Sequence, residues 1–131
     1  MHPENLKYSP DHLWLKEEAG GQVRLGLTYH YQDKIKSVVF LDLPRVGARV
    51  ARGEPFGAIE SSKISTDLIS PVTGIVTEAN TAVLDKPGLV NKDPYGQGWL
   101  IVVRLDDPAA LQSLLSSAQY LAAAASETAG A

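Results

Sequence analysis

The chain has 131 residues, of which 44% are apolar and 21% charged, and its formal net charge is −3. This length suits one domain with a modest core, because two smaller domains would each bury too little surface to be stable. A negative charge argues against nucleic acid or an anionic membrane surface as a partner. The chain has no cysteine, so a disulfide, a thiolate nucleophile and a cysteine-based metal site are excluded.

Nothing in the sequence predicts export or membrane insertion. Residues 1–5 lack the basic and apolar parts of a secretory signal, and no run of about eighteen apolar residues occurs. We therefore expect a cytoplasmic protein with no membrane partner.

The first third of the chain predicts a hairpin, a short helix and a strand. Residues 12–16 and 22–28 alternate between apolar and polar side chains, as half-buried strands do. Thr28 is suited to cap a helix over residues 29–35, because its hydroxyl can accept hydrogen bonds from free backbone N–H groups. Residues 37–43 again have the composition of a strand.

The middle of the chain predicts a second hairpin. Strand-like runs at residues 55–60 and 64–69 flank a short polar segment, which places Lys63 at or beside the tip. A side chain at a turn tip is accessible to another protein. Short strands that are interrupted by turn residues every eight to twelve positions or so predict an antiparallel sandwich or barrel.

The last third predicts one central strand followed by helices. Residues 84–98 show no clear period and indicate an irregular crossover with one helical turn, whereas residues 99–105 form the most apolar strand. Asp107 as a cap and Pro108 at the first helical position start a helix. A second helical stretch covers residues 117–125. We expect one domain over residues 1–125 and a disordered tail over residues 126–131.

No group of residues predicts catalysis. His2, His12 and His30 lack the partner spacing of a metal or acid–base site, so His12 is interpreted as a structural or edge residue and His30 as a surface residue. The serines near Lys63 have no nearby base, which argues against a serine nucleophile. We expect a protein that is not an enzyme.

The region around Lys63 resembles the lipoyl-attachment hairpin of the glycine cleavage system H protein family. Glu60, Ser61, Ser62 and Lys63 stand in the motif, and a Ser-Pro-x-x-Gly-x-Val sequence begins at Ser70. Three further segments resemble the family in the same order and at similar spacing: residues 8–14, 38–44 and 89–100. The resemblance covers all but about the last ten residues.

The resemblance implies a fold, a cofactor and a site. The fold would be an all-β barrel-sandwich hybrid of the lipoyl/biotinyl type, with short peripheral helices and C-terminal helices. Lipoic acid would be attached covalently to Lys63 as N6-lipoyllysine. Glu60 matches the family's recognition position for the lipoyl-attaching enzyme, although a strand-end acid is often merely exposed. The attaching enzyme would recognise, together with Glu60, the small residues Ser61 and Ser62 and Ile64, which replaces the usual alanine.

In the family, the lipoyl arm carries an aminomethyl group between glycine decarboxylase and aminomethyltransferase, and dihydrolipoyl dehydrogenase reoxidises it. Two alternatives remain open. One is a carrier similar to the lipoate-binding proteins of heterodisulfide-reductase-like sulfur oxidation, and the other is an unmodified binding module that kept the fold. A carrier that docks with several enzymes in turn is best served by being a monomer.

Departures from the family affect the choice of partner. Several positions expected at the surface are cationic, small or apolar where the family is often acidic or small: Leu13, Lys34, Lys36, Ser37, Arg45 and Lys92. A partner that docks electrostatically would respond to this change.

Overall fold

The protein folds into two antiparallel sheets, described here from a computed structural model that covers residue 3 and residues 5–130, with the backbone alone for residues 125–130. In chain order the strands within these residues are β1 (Lys7–Tyr8), β2 (Leu13–Glu18), β3 (Gln22–Leu27), β4 (Val38–Asp42), β5 (Arg49–Val50), β6 (Pro55–Ser61), β7 (Ser65–Ile69), β8 (Gly74–Ala79) and β9 (Ile101–Leu105).

The larger sheet has the strand order β1-β2-β3-β9-β8-β5 and the smaller sheet the order β4-β6-β7. Strand β9 pairs with β3 on one side and β8 on the other, and four of its five residues are buried. The prediction that this apolar strand is central is therefore confirmed.

The main core lies between the sheets, where alternate residues of each strand meet. The larger sheet contributes buried residues such as Val23 and Leu25, and the smaller sheet contributes Leu41, Ile59 and Leu68. Burying one such side chain stabilises the fold by about 1.5–3 kcal/mol. Because one face of each strand is buried in this way, the alternation in the sequence also fixes the register of the pairing.

Helix α1 (Tyr29–Ile35) follows β3 as predicted, and the Thr28 hydroxyl caps it by accepting from the Tyr31 N–H at 3.2 Å. The crossover is more helical than predicted, because it contains α2 (Thr81–Asp85) and α3 (Leu89–Lys92). The Asn80 side chain caps α2 by accepting from the N–H of Ala82. A helix thus begins before the segment where the sequence predicted irregular structure.

Two helical segments complete the chain, a 3₁₀ helix (Pro108–Ser113) and α4 (Ser117–Gly130). Asp107 caps the first, with its carboxylate accepting from the N–H of Ala109 at 3.0 Å. The predicted start at Pro108 is confirmed, and the helix has the 3₁₀ form and ends at Ser113. Helix α4 extends five residues beyond the predicted end. The predicted disordered tail covers residues 126–131. The side chains of residues 126–130, and residue 131 as a whole, lie outside the described part of the chain, so the domain boundary stays a prediction.

A second apolar cluster lies on the outer side of the larger sheet. It comprises Leu6, Tyr8, Trp14, Tyr120 and Ala124, all of them buried. Backbone hydrogen bonds between Tyr8 and Leu115 fasten β1 to the segment that precedes α4. No helix in the described part of the chain is both long and apolar enough to cross a membrane.

His12 connects this cluster to α1. Its ring is buried, stacks on Tyr31 at 4.6 Å and lies 2.7 Å through Nδ1 from the Tyr120 hydroxyl oxygen. The structural interpretation of His12 is confirmed. His30 is half-buried, with its ring 5.8 Å from that of His12, so the predicted surface position is wrong. Local sequence pattern could not predict this, because Tyr120, whose ring lies 6.3 Å from that of His30, is 90 residues away.

Candidate functional site

The Lys63 hairpin is formed by β6 and β7, whose last register pair before the turn is Glu60 with Ser65. Residues 62–64 connect the strands, so Lys63 lies at the centre of the turn and its side chain is exposed. The sequence-predicted position at the tip is confirmed, because the two strand-like runs pair as expected.

Ser61 fixes the backbone of this turn. Its hydroxyl oxygen accepts hydrogen bonds from the backbone N–H groups of Lys63 and Ile64, both at 3.1 Å. The Ser61 backbone N–H donates to the Ile64 carbonyl at 2.8 Å. Serine often bonds to backbone groups two or three residues further on, which competes with regular structure and shapes turns. Ser61, which is only 8% exposed, therefore holds the backbone of Lys63 and of Ile64.

A second contact fastens the turn to the rest of the fold. The Ser62 N–H donates to the Ser37 carbonyl at 2.8 Å, which connects the hairpin tip to the segment that leads into β4. Asn91 of α3 supports this segment, because its Nδ2 donates to the Lys36 carbonyl and its Oδ1 accepts from the Val38 N–H, both at 2.8 Å. No local pattern in the sequence identified Asn91. A lone asparagine in an irregular segment gives no sign of such contacts.

Lys36, beside this contact, has an unusual backbone conformation. Its φ is 68° and its ψ is −151°, a combination that is essentially confined to glycine. The carbonyl of Lys36 is held by Asn91, and its N–H donates to the Gln32 carbonyl at 3.1 Å. Hydrogen bonds on both sides of the residue thus maintain a strained backbone next to the hairpin tip.

The predicted recognition residues differ in accessibility. The side chains of Glu60, Ser62 and Lys63 are exposed, and Ile64 is 36% exposed. Ser61 faces inward, so an approaching enzyme would meet its effect on the turn rather than its side chain. Among the described residues, no carboxylate lies within ion-pair distance of the Lys63 ammonium group. Once deprotonated, the amine is accessible for amide formation, and lipoic acid therefore fits this position.

The outward face of the smaller sheet, which the hairpin strands β6 and β7 form together with β4, has an exposed aromatic ring next to Glu60. Phe40 is 55% exposed and stands opposite Glu60 in the register. A shallow cavity of about 300 Å³ is lined by Phe40, Ala58, Ile59, Glu60, Ser65, Thr66 and Asp67. An enzyme that contacts Glu60 would also meet this aromatic ring.

The positions that depart from the family are mostly exposed as expected. The side chains of Lys34, Lys36, Ser37, Arg45 and Lys92 are all exposed. Leu13 is the exception, since it is 1% exposed and belongs to the main core. Its expected surface position is wrong because the residue begins β2 with its side chain between the two sheets.

Two antiparallel sheets that present one lysine at a hairpin tip define a domain of the barrel-sandwich, lipoyl/biotinyl type. The glycine cleavage H-protein family model matches residues 6–127, and the chain belongs to this family. A glycine cleavage system H protein from Rubrobacter xylanophilus is 48% identical over 118 residues, which are 90% of each chain. The Escherichia coli protein of the same name is 42% identical over 118 residues, 90% of this chain and 92% of that protein.

A solved structure agrees with this assignment. The crystal structure of a glycine cleavage system H protein from Mycobacterium marinum superposes with a TM-score of 0.83 and 38% sequence identity, covering 92% of this chain and 96% of that one. The barrel-sandwich fold class with a C-terminal helix is confirmed.

Proposed function

We propose that this protein is the lipoyl carrier of a glycine cleavage system, with lipoic acid attached to Lys63. The observation that carries the proposal is an exposed lysine at the centre of an ordered hairpin turn, in a chain that belongs to the H-protein family. Relatives named as H proteins cover about nine tenths of the chain, which favours glycine cleavage over sulfur oxidation and over an unmodified binding module.

The residues around Lys63 suit a lipoyl arm. Ser61 holds the turn so that the arm has a fixed root, and the small side chain of Ser62 leaves space beside it. Ile64 offers an apolar contact to the hydrocarbon part of the arm. When attached, the lipoyl group supplies a disulfide that can be reduced to a dithiol, which lets it accept an aminomethyl group and release it again.

The lipoyl-attaching enzyme would recognise the same hairpin before modification. Glu60 offers an exposed carboxylate three residues before Lys63, with Ser62 and Ile64 on either side of the lysine. Forming the amide removes the positive charge of Lys63. Recognition by the attaching enzyme and docking of the modified protein therefore involve different charges at one site.

The chain itself acts by presentation. A rigid two-sheet scaffold holds the root of the arm while the arm reaches successive active sites, which raises its effective concentration at each. The partners under this proposal are glycine decarboxylase, aminomethyltransferase and dihydrolipoyl dehydrogenase. The proposal includes a cytoplasmic, monomeric carrier with no catalytic residue of its own.

The attachment is tested by mass spectrometry of the protein co-produced with a lipoyl-attaching enzyme. We expect one lipoyl adduct that maps to Lys63, is lost in Lys63→Arg and persists in Lys16→Arg, which alters an exposed lysine of the larger sheet. An unmodified Lys63, beside an H protein that is modified in the same cells, would contradict the proposal.

The carrier role is tested with the lipoylated protein, glycine decarboxylase and glycine. We expect the arm to become aminomethylated, with release of CO₂ that depends on the lipoylated protein. Failure of this reaction, with an established H protein competent in the same assay, would reject glycine cleavage and leave the lipoyl attachment intact.

A further inference from the structure

We propose that Lys34, Lys36 and Lys92 form a cationic docking surface beside the arm, which binds an acidic protein surface at the entrance to an active site that receives the arm. The inference rests on the proposed carrier function and adds the chemistry of the partner surface. It concerns how enzymes approach the hairpin, and none of the three lysines is an attachment residue.

Backbone contacts place the three lysines next to the hairpin tip. Lys34 lies in the last turn of α1, Lys36 ends that helix and Lys92 is the last residue of α3. Helices α1 and α3 pack against each other, and Asn91 holds the Lys36 carbonyl. Lys36 precedes Ser37, and Lys63 follows Ser62. The Ser62 N–H donates to the Ser37 carbonyl at 2.8 Å. The lysine cluster therefore lies at the root of the arm.

The charges of this cluster are available to a partner. Lys34, Lys36 and Lys92 are exposed. The ion pairs found among the described residues join Arg24 to Glu18 in the larger sheet and Arg49, in the edge strand of that sheet, to Asp106. The acids on the same two elements are Asp33 of α1 and Asp93 after α3. Both are exposed, and the Asp93 carboxylate accepts the Gln97 N–H at 2.9 Å.

The cluster thus has three cations against two acids, one of which has a local partner, in a chain whose net charge is −3. Amide formation at Lys63 removes a fourth positive charge from the same region. The lysines of α1 and α3 are not modified, so they still outnumber the acids counted on these two elements by one, and an acidic surface is favoured and a basic surface opposed at this side.

The strained backbone of Lys36 is an independent observation. Glycine would adopt this conformation without strain, yet the chain has a lysine whose side chain is exposed. The side chain adds nothing to the core that would offset the strain. We therefore attribute the lysine at this position to a contribution of its charge when a partner binds.

The test measures the dissociation constant of the purified chain with glycine decarboxylase, with and without lipoylation, as the salt concentration changes. The variant Lys34→Gln/Lys36→Gln/Lys92→Gln removes the cluster. The control Lys7→Gln/Lys16→Gln/Lys86→Gln removes the same charge from exposed lysines elsewhere. Three exposed charge pairs together are expected to change affinity about tenfold at low salt.

We expect the cluster variant to bind about tenfold more weakly than the parent chain at low salt. Near 1 M salt, where charges are screened within ~3 Å, this difference should disappear, and the cluster variant and the control should bind equally. We expect the cluster to change the affinity by the same factor with and without lipoylation, because none of its three lysines is modified. Equal affinity of the cluster variant and the control at low salt, or tighter binding by the cluster variant, would overturn the inference.

The aminomethylation assay separates this inference from the proposed function. If the parent chain is aminomethylated but its affinity does not depend on the cluster, the carrier role stands and the docking surface is rejected. A parent that is not aminomethylated would reject glycine cleavage. The same set of variants measured against dihydrolipoyl dehydrogenase would then decide the docking surface, by the same two outcomes.

Discussion

Ser61 controls the backbone on both sides of Lys63 through one hydroxyl group. Its two accepted hydrogen bonds explain why three connecting residues form an ordered turn without a glycine. The sequence identified the position, because the motif contains it, but attributed it to contact with the attaching enzyme. The inward orientation could not be predicted, since it depends on how the strand ends.

Replacing Ser61 by alanine should therefore loosen the turn. Losing a hydroxyl that satisfies two backbone donors is expected to cost about 1 kcal/mol and to lower kcat/KM for lipoylation about fivefold. The measurements are the rate of adduct formation and the hydrogen exchange of the Lys63 and Ile64 amides, which should become faster. Ser62→Ala, at an exposed neighbour, is the matched control for the exchange measurement. Unchanged amide exchange in Ser61→Ala would show that the hydroxyl does not hold the turn.

Lys36 provides a stability test of its own. Lys36→Gly should relieve a backbone strain of about 1–3 kcal/mol, less the ~0.4–1 kcal/mol by which glycine loosens the unfolded chain, for a net gain of about 1 kcal/mol in the free energy of unfolding. Lys36→Ala keeps the strain and should be nearly neutral. Urea denaturation of the parent chain and the two variants measures these differences. Equal stability of the glycine and alanine variants would show that the backbone of Lys36 is not strained.

At the scale of elements, periodicity predicted the strands well and the helices less well. The strands β2, β3, β6 and β9 alternate or form apolar runs because a sheet face is buried, and that signal is local. Helices α2 and α3 are only five and four residues long, too short for a helical period, and their stability comes from packing and from the Asn80 cap. The sequence predicted only one helical turn in this region for that reason.

Helix α4 shows a similar limit. Its sequence is rich in alanine and predicts a peripheral helix, yet Tyr120 is 1% exposed. The Tyr120 hydroxyl lies 2.7 Å from His12 Nδ1 and 2.8 Å from the Thr28 hydroxyl, so α4 contacts the residue that caps α1. Partners so distant in sequence could not be identified from local pattern.

Tyr120→Phe should consequently weaken the attachment of α4. Removing a hydroxyl from between two buried polar groups is expected to cost about 1–3 kcal/mol, because those groups lose a partner away from water. Leu121→Ala, at a position 44% exposed, should cost less than 1 kcal/mol and serves as the control. Denaturation midpoints measure both, and a Tyr120→Phe variant as stable as the parent would show that the hydroxyl contributes nothing.

At the scale of the whole molecule, two separate apolar clusters stabilise the fold. The core between the sheets is mainly aliphatic, whereas the outer cluster contains tyrosines and Trp14. Tyrosine hydroxyls in and beside the outer cluster also ionise, which aliphatic side chains cannot do. The outer cluster should therefore make the stability of the protein depend on pH in the alkaline range.

Burial raises the pKa of Tyr8, and the neighbouring Tyr95 and Tyr120 raise it further. Burial also raises the pKa of Tyr95, outweighing the hydrogen bond that its hydroxyl oxygen accepts from the Tyr29 N–H, which favours the ionised form. An unfolded tyrosine has a pKa of about 10, so the unfolded chain loses these protons first as pH rises. The stabilisation is complete below about pH 10 and is lost above it, as pH rises toward the folded pKa values.

The free energy of unfolding should thus fall by about 1–2 kcal/mol between pH 9 and pH 11, as measured by urea denaturation at a series of pH values. Tyr8→Phe/Tyr95→Phe should flatten this decline, because phenylalanine has no proton to lose. Its absolute stability should also be lower, since the Tyr8 hydroxyl donates to the Pro3 carbonyl at 2.7 Å. The slope is therefore the informative quantity, and a double variant whose stability declines as steeply as that of the parent would place the alkaline transition outside this cluster.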